Sequence, residues 1–551
     1  VNLQRFFPLA TVIALLPVLP SPVKYTSDEA LYTNAAIAMA RGGDWLTPTE
    51  ADGSVRLRKP ILTYWLVAAA YKVGGIGLVS SRLPFLLCAA ALVGLTYRLA
   101  LLIFQRRDVA ALAAAILISN SSFTSRALQS TPDILLSFLM GVSFFGFAGL
   151  IFRSDARLKY LMLAYGGAAL AAETKGLVAL VPVALAWGCC LARSDRRECV
   201  RRLTHGPIMA LALLVAVAWF GAMAWIHGPG ALNEFIQDQV VRRVGLEGWN
   251  PLWNAWDMTT DGARQFLPWV ILAAATLPGG WAGARRFWRQ HRHACLFLFG
   301  AYVVLLLVFS LGHAHRSRYL LPAYPLLAVG VAALLVHWLE EPSGARRLSR
   351  AAAALLWAAM AGGALILVFG FLVHTRIFLG ALLFEALAIR LYVWGREWPP
   401  AARLVSLGFV GLAGLALAEI AVRPVFTASP GPALARRLEL EDVRGRVAAV
   451  GAERDLTAQL PVLSGGRVTV DALPRDAPPE QWAAYPAVIF RDGAPARAVE
   501  CGFAFRRWTG ADLRELVVRR GDPAFLERKK ERYFLTMPAR DNAGRAAPPP
   551  R

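Results

Sequence analysis

Apolar stretches of bilayer-spanning length recur along this chain from its first residues to about residue 422, and that repetition leaves little choice of solvent. The hydrocarbon core of a membrane takes about 20 mainly apolar helical residues to cross, and its lack of water forces each segment to satisfy its own backbone amides. Candidate spans lie near 6–23, 82–104, 109–125, 134–152, 158–173, 175–192, 206–227, 266–284, 294–312, 320–338, 351–373, 377–394 and 404–422. Hydrophobic residues make up 56% of the 551, above the roughly 45–50% of soluble domains. The first run follows Arg5 as a secretory signal would, but no small-x-small cleavage site follows Leu19-Pro20-Ser21-Pro22, so an uncleaved first span is expected.

Loop charge gives the expected orientation, because Lys and Arg close to span ends are retained in the cytoplasm. Arg106-Arg107, Arg153 to Lys159, Arg193 to Arg202, Arg285 to Arg292, Arg346 to Arg350 and Arg396 to Arg403 all alternate onto one side. The loops near 24–81, 126–133, 228–265 and 313–319, with everything after Arg423, then face outward. Topology and lipid headgroups account for much of the formal charge of +22, rather than nucleic acid. The outward loops nevertheless hold Arg56, Arg58, Lys59, Arg242, Arg243, Arg316 and Arg318. Cations that resist the orientation rule call for an anionic ligand.

Beyond about Pro424 charge rises, and β-rich runs at Arg444–Val450 and Ala487–Phe490 stand between Gly and Pro turns. The expected fold is an all-α polytopic membrane protein of about 13 transmembrane helices with a small α/β extracytoplasmic C-terminal domain. Residues 1–423 form the membrane part with 24–81 as its first outer loop, 424–541 the soluble domain, and 542–551 a disordered, proline-rich tail. The six cysteines read as core residues, with no zinc site or disulfide framework. No long internal repeat is visible, which weighs against an inverted-repeat transporter.

Chemistry concentrates at outward helix ends. Tyr25-Thr26-Ser27-Asp28-Glu29 opens a short helix, running on to Ala40 and expected to lie on the membrane. Its carboxylates suit a general base or a metal ligand, although Thr26-x-x-Glu29 equally matches a capping box. Arg56-Leu57-Arg58-Lys59-Pro60 then leads into the aromatic run Ile61-Leu62-Thr63-Tyr64-Trp65, a pattern suited to a lipid-borne phosphate; snorkelling anchors are the plainer reading. Asp133 follows Ser130-Thr131-Pro132 at a helix start, and Glu173-Thr174-Lys175-Gly176 separates two apolar runs with almost no loop. His313-Ala314-His315-Arg316-Ser317-Arg318-Tyr319 gathers cations at another outer helix start. Anion binding suits this run better than zinc, for which the histidine spacing is not a signature.

In chain order these pieces resemble the GT-C superfamily of membrane glycosyltransferases. The likeness is especially to bacterial relatives of protein O-mannosyltransferases and of the lipid A aminoarabinose transferase. The motifs are Asp28-Glu29, Gly43-Asp44-Trp45-Leu46-Thr47-Pro48, Lys59 to Trp65, Arg82-Leu83-Pro84, Thr131-Pro132-Asp133, Lys175-Gly176 and Arg318-Tyr319-Leu320-Leu321-Pro322-Ala323-Tyr324-Pro325. The resemblance implies sugar transfer from a polyprenyl phosphate outside the cytoplasm of a bacterial inner membrane, with Asp28 matching the catalytic acid of the first loop. Glu29 and Asp133 would assist it, and Lys59, Arg56, Arg58, Arg316, Arg318 and Lys175 would hold the donor phosphate. Tyr32, Trp45, Tyr64, His313 and Tyr319 would line the substrate pocket. No cofactor is required, and a divalent metal ion on Asp28, Glu29, His313 and His315 stays open. The first loop reads Asp28-Glu29-Ala30-Leu31-Tyr32 where the aminoarabinose transferases would carry an Arg-Tyr pair soon after the acids, and Lys59-Pro60-Ile61-Leu62 fits the broader family. The acceptor therefore stays open among lipid, glycan and protein. A flippase would place its polar residues near the bilayer midplane on broken helices, and a scaffold would leave the outward cations without a purpose.

Overall fold

The computed structural model describes residues 3–537 apart from 51–52, 154, 240–249, 313–315, 493–494, 496, 507 and 520. Arg242, Arg243, His313, His315 and the tail 542–551 lie outside the described residues. Among those described, nine helices are long and apolar enough to cross a membrane, or ten if one pair bent by 68° counts as a single span.

The chain begins with α1 (Leu3–Leu15), reaches the face that carries the first outer loop, and forms α2 (Ser27–Ala40) and α3 (Leu62–Gly74) there. It then crosses repeatedly as α4 (Leu78–Phe104), α5 (Arg107–Ile118) with α6 (Ser121–Ala127), α7 (Pro132–Phe152), α8 (Arg157–Lys175) and α9 (Val181–Leu191). The short α10 (Arg196–Leu203) precedes α11 (Gly206–His227), α12 (Pro229–Gln239) and α13 (Pro251–Gln265). Five long helices follow: α14 (Trp269–Gln290), α15 (Arg292–Ser310), α16 (Tyr324–Leu339), α17 (Pro342–Val373) and α18 (Thr375–Gly395). The last passage is α19 (Pro400–Leu417), continued through a π turn into α20 (Arg423–Phe426).

Side-chain contacts sort the loops onto two ends of the bundle. At one end Arg106 pairs with Asp108 and Glu340, Arg286 pairs with Glu341, and Arg157 donates to the carbonyls of Arg201 and Thr204. The loops read as cytoplasmic from their charge meet there. The 157–191 run also folds back on itself, because Trp187 Nε1 lies 3.3 Å from the Tyr165 hydroxyl, bringing together residues equally far before and after Gly176. The two runs expected at 158–173 and 175–192 are thus the arms of a hairpin.

Two expectations need correction. The span expected at 109–125 is broken, because Asn120 accepts a hydrogen bond from Phe123 N at 2.9 Å and starts a new helix there. Cys190 and Cys199 form a disulfide that ties the end of α9 to α10, a pairing that their spacing does not announce. The helix after Asp28 is covered by protein: α2 buries Tyr32, Thr33, Ala36, Ile37 and Met39 between α3 and the C-terminal layer.

That layer starts with α21 (Gly431–Leu440) and is built on strands β1 (Gly445–Val450), β2 (Val468–Leu473), β3 (Val488–Arg491), β4 (Val499–Phe505) and β5 (Lys530–Thr536). Their order in the sheet is β2-β1-β3-β5-β4. β1 runs parallel to β2 and β3, while β5 is antiparallel to β3 and β4. The parallel pairs need crossovers, which α22 (Arg454–Leu463) and α23 (Pro479–Trp482) supply. Val447, Ala449 and Ile489 pack on one side of the sheet with Leu434, Leu438, Leu456 and Leu460. Ala448, Val450, Val488 and Phe490 pack on the other, the alternation a two-faced sheet requires. The remaining helices are α24 (Gly510–Val518) and α25 (Pro523–Arg528). This layer sits on the first outer loop: Ser27 N donates to Asp455 Oδ1 at 3.0 Å, Asn34 to Ala458 O at 3.3 Å, and Arg41 to Gly465 O at 3.2 Å.

Candidate active site

The Thr26 side chain accepts from Glu29 N at 3.3 Å and starts α2, so Asp28 and Glu29 occupy its first turn. Pro132 fixes the first turn of α7 and places Asp133 there. Lys175 ends α8 because Gly176 turns the chain at φ 75°. Arg318 lies in a 3₁₀ turn, Ser317–Ala323, that feeds α16. Two helix starts, one helix end and one helix lead-in therefore deliver these four charged side chains to one place.

Arg318 is the hub. Its Nη2 lies 2.9 Å from Asp28 Oδ2, and its Nε lies 3.8 Å from Asp133 Oδ2. Arg316 Nη1 approaches the same Asp28 oxygen at 3.6 Å, and Lys175 Nζ donates to Asp133 Oδ1 at 2.8 Å. Lys175 Nζ also stands 4.4 Å over the Tyr319 ring. Asp133 is buried while the Asp28 side chain is 45% exposed, so Asp28 is the carboxylate open to a substrate. Arg126 lies within electrostatic reach of Asp28, Asp133, Arg316 and Arg318. Cations outnumber carboxylates here, which makes the cluster a receptor for an anion.

Tyr32 follows Asp28 by one helical turn, and its ring centroid lies 5.2 Å from that of Tyr64. Burial pushes the Tyr32 hydroxyl well above the usual phenol range, which keeps it a donor. Arg56 is buried, donates to the Tyr64 hydroxyl at 3.2 Å and pairs with Glu50, so its charge is already partnered. Arg58 is exposed and Lys59 half-buried on the approach to α3. Trp45 belongs to the adjoining wall, where its carbonyl accepts from Trp65 Nε1 at 2.6 Å.

Glu29 corrects the sequence reading. Its carboxylate is fully buried, paired with Arg82 at 2.8 and 3.0 Å, and accepts from Ser130 N at 3.2 Å. It holds the loop at 126–133 against α2, while Asp28 meets Arg318 and Arg316. Among the described residues no group of three or more His, Cys, Asp or Glu gathers to hold a metal ion. Arg126, at the start of the loop 126–133, joins the cluster with no motif to announce it. Arg82 stood only in a motif, because nothing local links it to Glu29.

Residues 58–221 match the family model of dolichyl-phosphate-mannose-protein mannosyltransferases. An uncharacterised protein of Aquifex aeolicus is 27% identical over 305 residues, 55% of this chain and 58% of that one. The undecaprenyl phosphate-alpha-4-amino-4-deoxy-L-arabinose arabinosyl transferase 1 of Pseudomonas fluorescens is 26% identical over 350 residues, 61% of this chain and 58% of that enzyme. The matches thus span less than two thirds of these relatives. The crystal structure of ArnT from Cupriavidus metallidurans bound to undecaprenyl phosphate superposes with a TM-score of 0.67 at 16% identity, covering 96% of this chain and 97% of that one. The fold is therefore shared from end to end, and the resemblance to the GT-C membrane glycosyltransferases read from the motifs is borne out.

Proposed function

We propose that this chain is an integral-membrane glycosyltransferase that moves a sugar from a polyprenyl phosphate to a lipid, glycan or protein acceptor at the extracytoplasmic face of a bacterial inner membrane. The observation that carries this reading is the cation-rich cluster around the half-exposed Asp28, at the membrane-facing ends of several helices. Likeness to undecaprenyl-phosphate aminoarabinose transferases supports the donor class, and the division into a membrane part up to about 423 and an α/β part beyond it goes with the reading.

In this mechanism Asp28 takes the proton of the acceptor hydroxyl or phosphate oxygen as that oxygen bonds to the anomeric carbon. The bond from the anomeric carbon to the donor phosphate oxygen breaks, and polyprenyl phosphate leaves with the electron pair. A phosphate is already a good leaving group and needs charge stabilisation more than protonation, which Arg318, Arg316, Lys175 and Lys59 supply. Asp133 orients Lys175 and Arg318, and Arg58 adds field strength from the side of Tyr64. Arg56, being paired with Glu50, serves mainly to hold Tyr64. One displacement inverts the anomeric centre.

The test is sugar transfer in proteoliposomes supplied with polyprenyl-phosphate sugars and a membrane extract, with wild type beside Asp28→Asn and Lys59→Ala. Wild-type transfer that falls about a hundredfold or more in Asp28→Asn supports the role of the base. Full activity in Asp28→Asn, or wild-type binding of the donor without transfer, overturns it.

A further inference from the structure

We infer that the outer ends of the last membrane helices and the C-terminal layer together form a binding site for one phospholipid with an anionic headgroup. A cavity of about 850 Å³ lies between them, within the roughly 300–1,000 Å³ range of ligand sites. Ile366 and Phe369 of α17, Ile377 of α18 and Phe426 of α20 form its membrane wall. Val517 and Val518 of α24 face them from outside the bundle.

The cavity is built rather than left over. Trp508 Nε1 donates to Phe426 O at 2.9 Å, and the two rings meet edge to face at 5.4 Å, fastening the layer to the end of the last span. A Cβ on Gly521, whose φ is +73°, would approach Val373 O to 2.7 Å, so the turn after α24 lies directly on the outer end of α17. These two attachments hold α24 at a fixed distance from α17 and α18.

Continuity with the bilayer identifies the occupant. On α17, Leu365, Val368 and Phe371 are 73%, 56% and 75% exposed, so the helix that walls the cavity also faces lipid. Val518 is 81% exposed on a helix outside the spans, an apolar surface that acyl chains would cover. Arg514 is the charged residue of the lining and is exposed, and Arg376 is exposed in the first turn of α18, next to the lining residue Ile377. Among the described residues neither makes an ion pair. A lining cation, with a second next in sequence to the lining residue Ile377, matches a phosphate headgroup beside an apolar cavity that takes the chain. None of the residues of the candidate active site lines this cavity, so its occupant is distinct from the sugar donor.

Native mass spectrometry of the full chain in detergent, titrated with phosphatidylglycerol or phosphatidylcholine, tests the site without reference to glycosyl transfer. Wild type should retain one phosphatidylglycerol and much less phosphatidylcholine. Ile366→Trp fills the cavity and should lose the adduct. Arg514→Glu reverses the charge of an exposed lining side chain without filling the cavity, and should weaken phosphatidylglycerol retention roughly tenfold. Equal retention by all three proteins overturns the site. Loss in Ile366→Trp with no change in Arg514→Glu, or equal retention of both lipids by wild type, overturns the anionic headgroup; if Ile366→Trp fails to fold, the Arg514→Glu comparison decides alone.

Discussion

A step of one residue along a helix turns the side chain by about 100°, and at the start of α2 that turn separates two neighbouring acids. Asp28 meets Arg318 and Arg316 at a half-open surface, while Glu29 is sealed against Arg82. Removing one partner of a buried ion pair strands the other charge, at a cost of about 3–5 kcal/mol. Glu29→Gln should therefore lower the melting temperature sharply while transfer per folded molecule stays near wild type. Asp28→Asn should do the reverse, because a half-exposed pair contributes at most about 1 kcal/mol. Thermal unfolding in detergent beside normalised transfer rates distinguishes the two; loss of activity in folded Glu29→Gln would return Glu29 to the chemistry. The motif resemblance put Asp28 first and Glu29 beside it, but Thr26-x-x-Glu29 predicts a helix start without saying which neighbour faces inward. Arg82, the residue that decides it, is 53 positions away.

At the scale of elements, apolar length was easy to read, and the devices that interrupt it were not. Asn120 breaks a run of apolar residues by accepting one backbone hydrogen bond, and a single polar residue hardly lowers the hydropathy of its window. Burial of α2 beneath α22 is invisible for another reason: its small and mixed residues satisfy either a membrane surface or a sandwich. Gly176 was legible as a turn, and its geometry explains why it is glycine. With φ 75° and ψ −137° it occupies backbone space that side chains avoid at a cost of about 1–3 kcal/mol. Gly176→Ala should lower both melting temperature and transfer, because Lys175 would lose its approach to Asp133. Lys175→Ala should reduce transfer with a smaller change in melting. Equal transfer in Gly176→Ala and wild type would show that this turn does not position the site.

Over the whole molecule, loop charge divided the chain into two ends, and among the described residues Arg106 and Arg286 pair at one of them while Asp28, Asp133, Lys175 and Arg318 gather at the other. Which end faces the cytoplasm is open to a direct measurement. Cys501 lies on β4 of the C-terminal layer, whereas Cys88, Cys189 and Cys295 lie in α4, α9 and α15. Burial pushes the Cys501 thiol up, so it reacts faster as pH rises. A membrane-impermeant maleimide applied to spheroplasts at mildly alkaline pH should label the protein once, and Cys501→Ala should abolish the label. Labelling only after permeabilisation would invert the orientation.

The bonds that hold Asp28 in place also reach far along the chain. Arg318 is 290 residues from Asp28, and Asp455, which holds the adjoining Ser27, is 428 residues from it. A translating ribosome releases the first outer loop long before either partner exists. Contacts so distant in sequence form late in folding, so the first outer loop waits for the rest of the chain before its charged side chains meet their partners. The fold of the first outer loop is thus completed from the far end of the chain, once the C-terminal strands have emerged and docked on it.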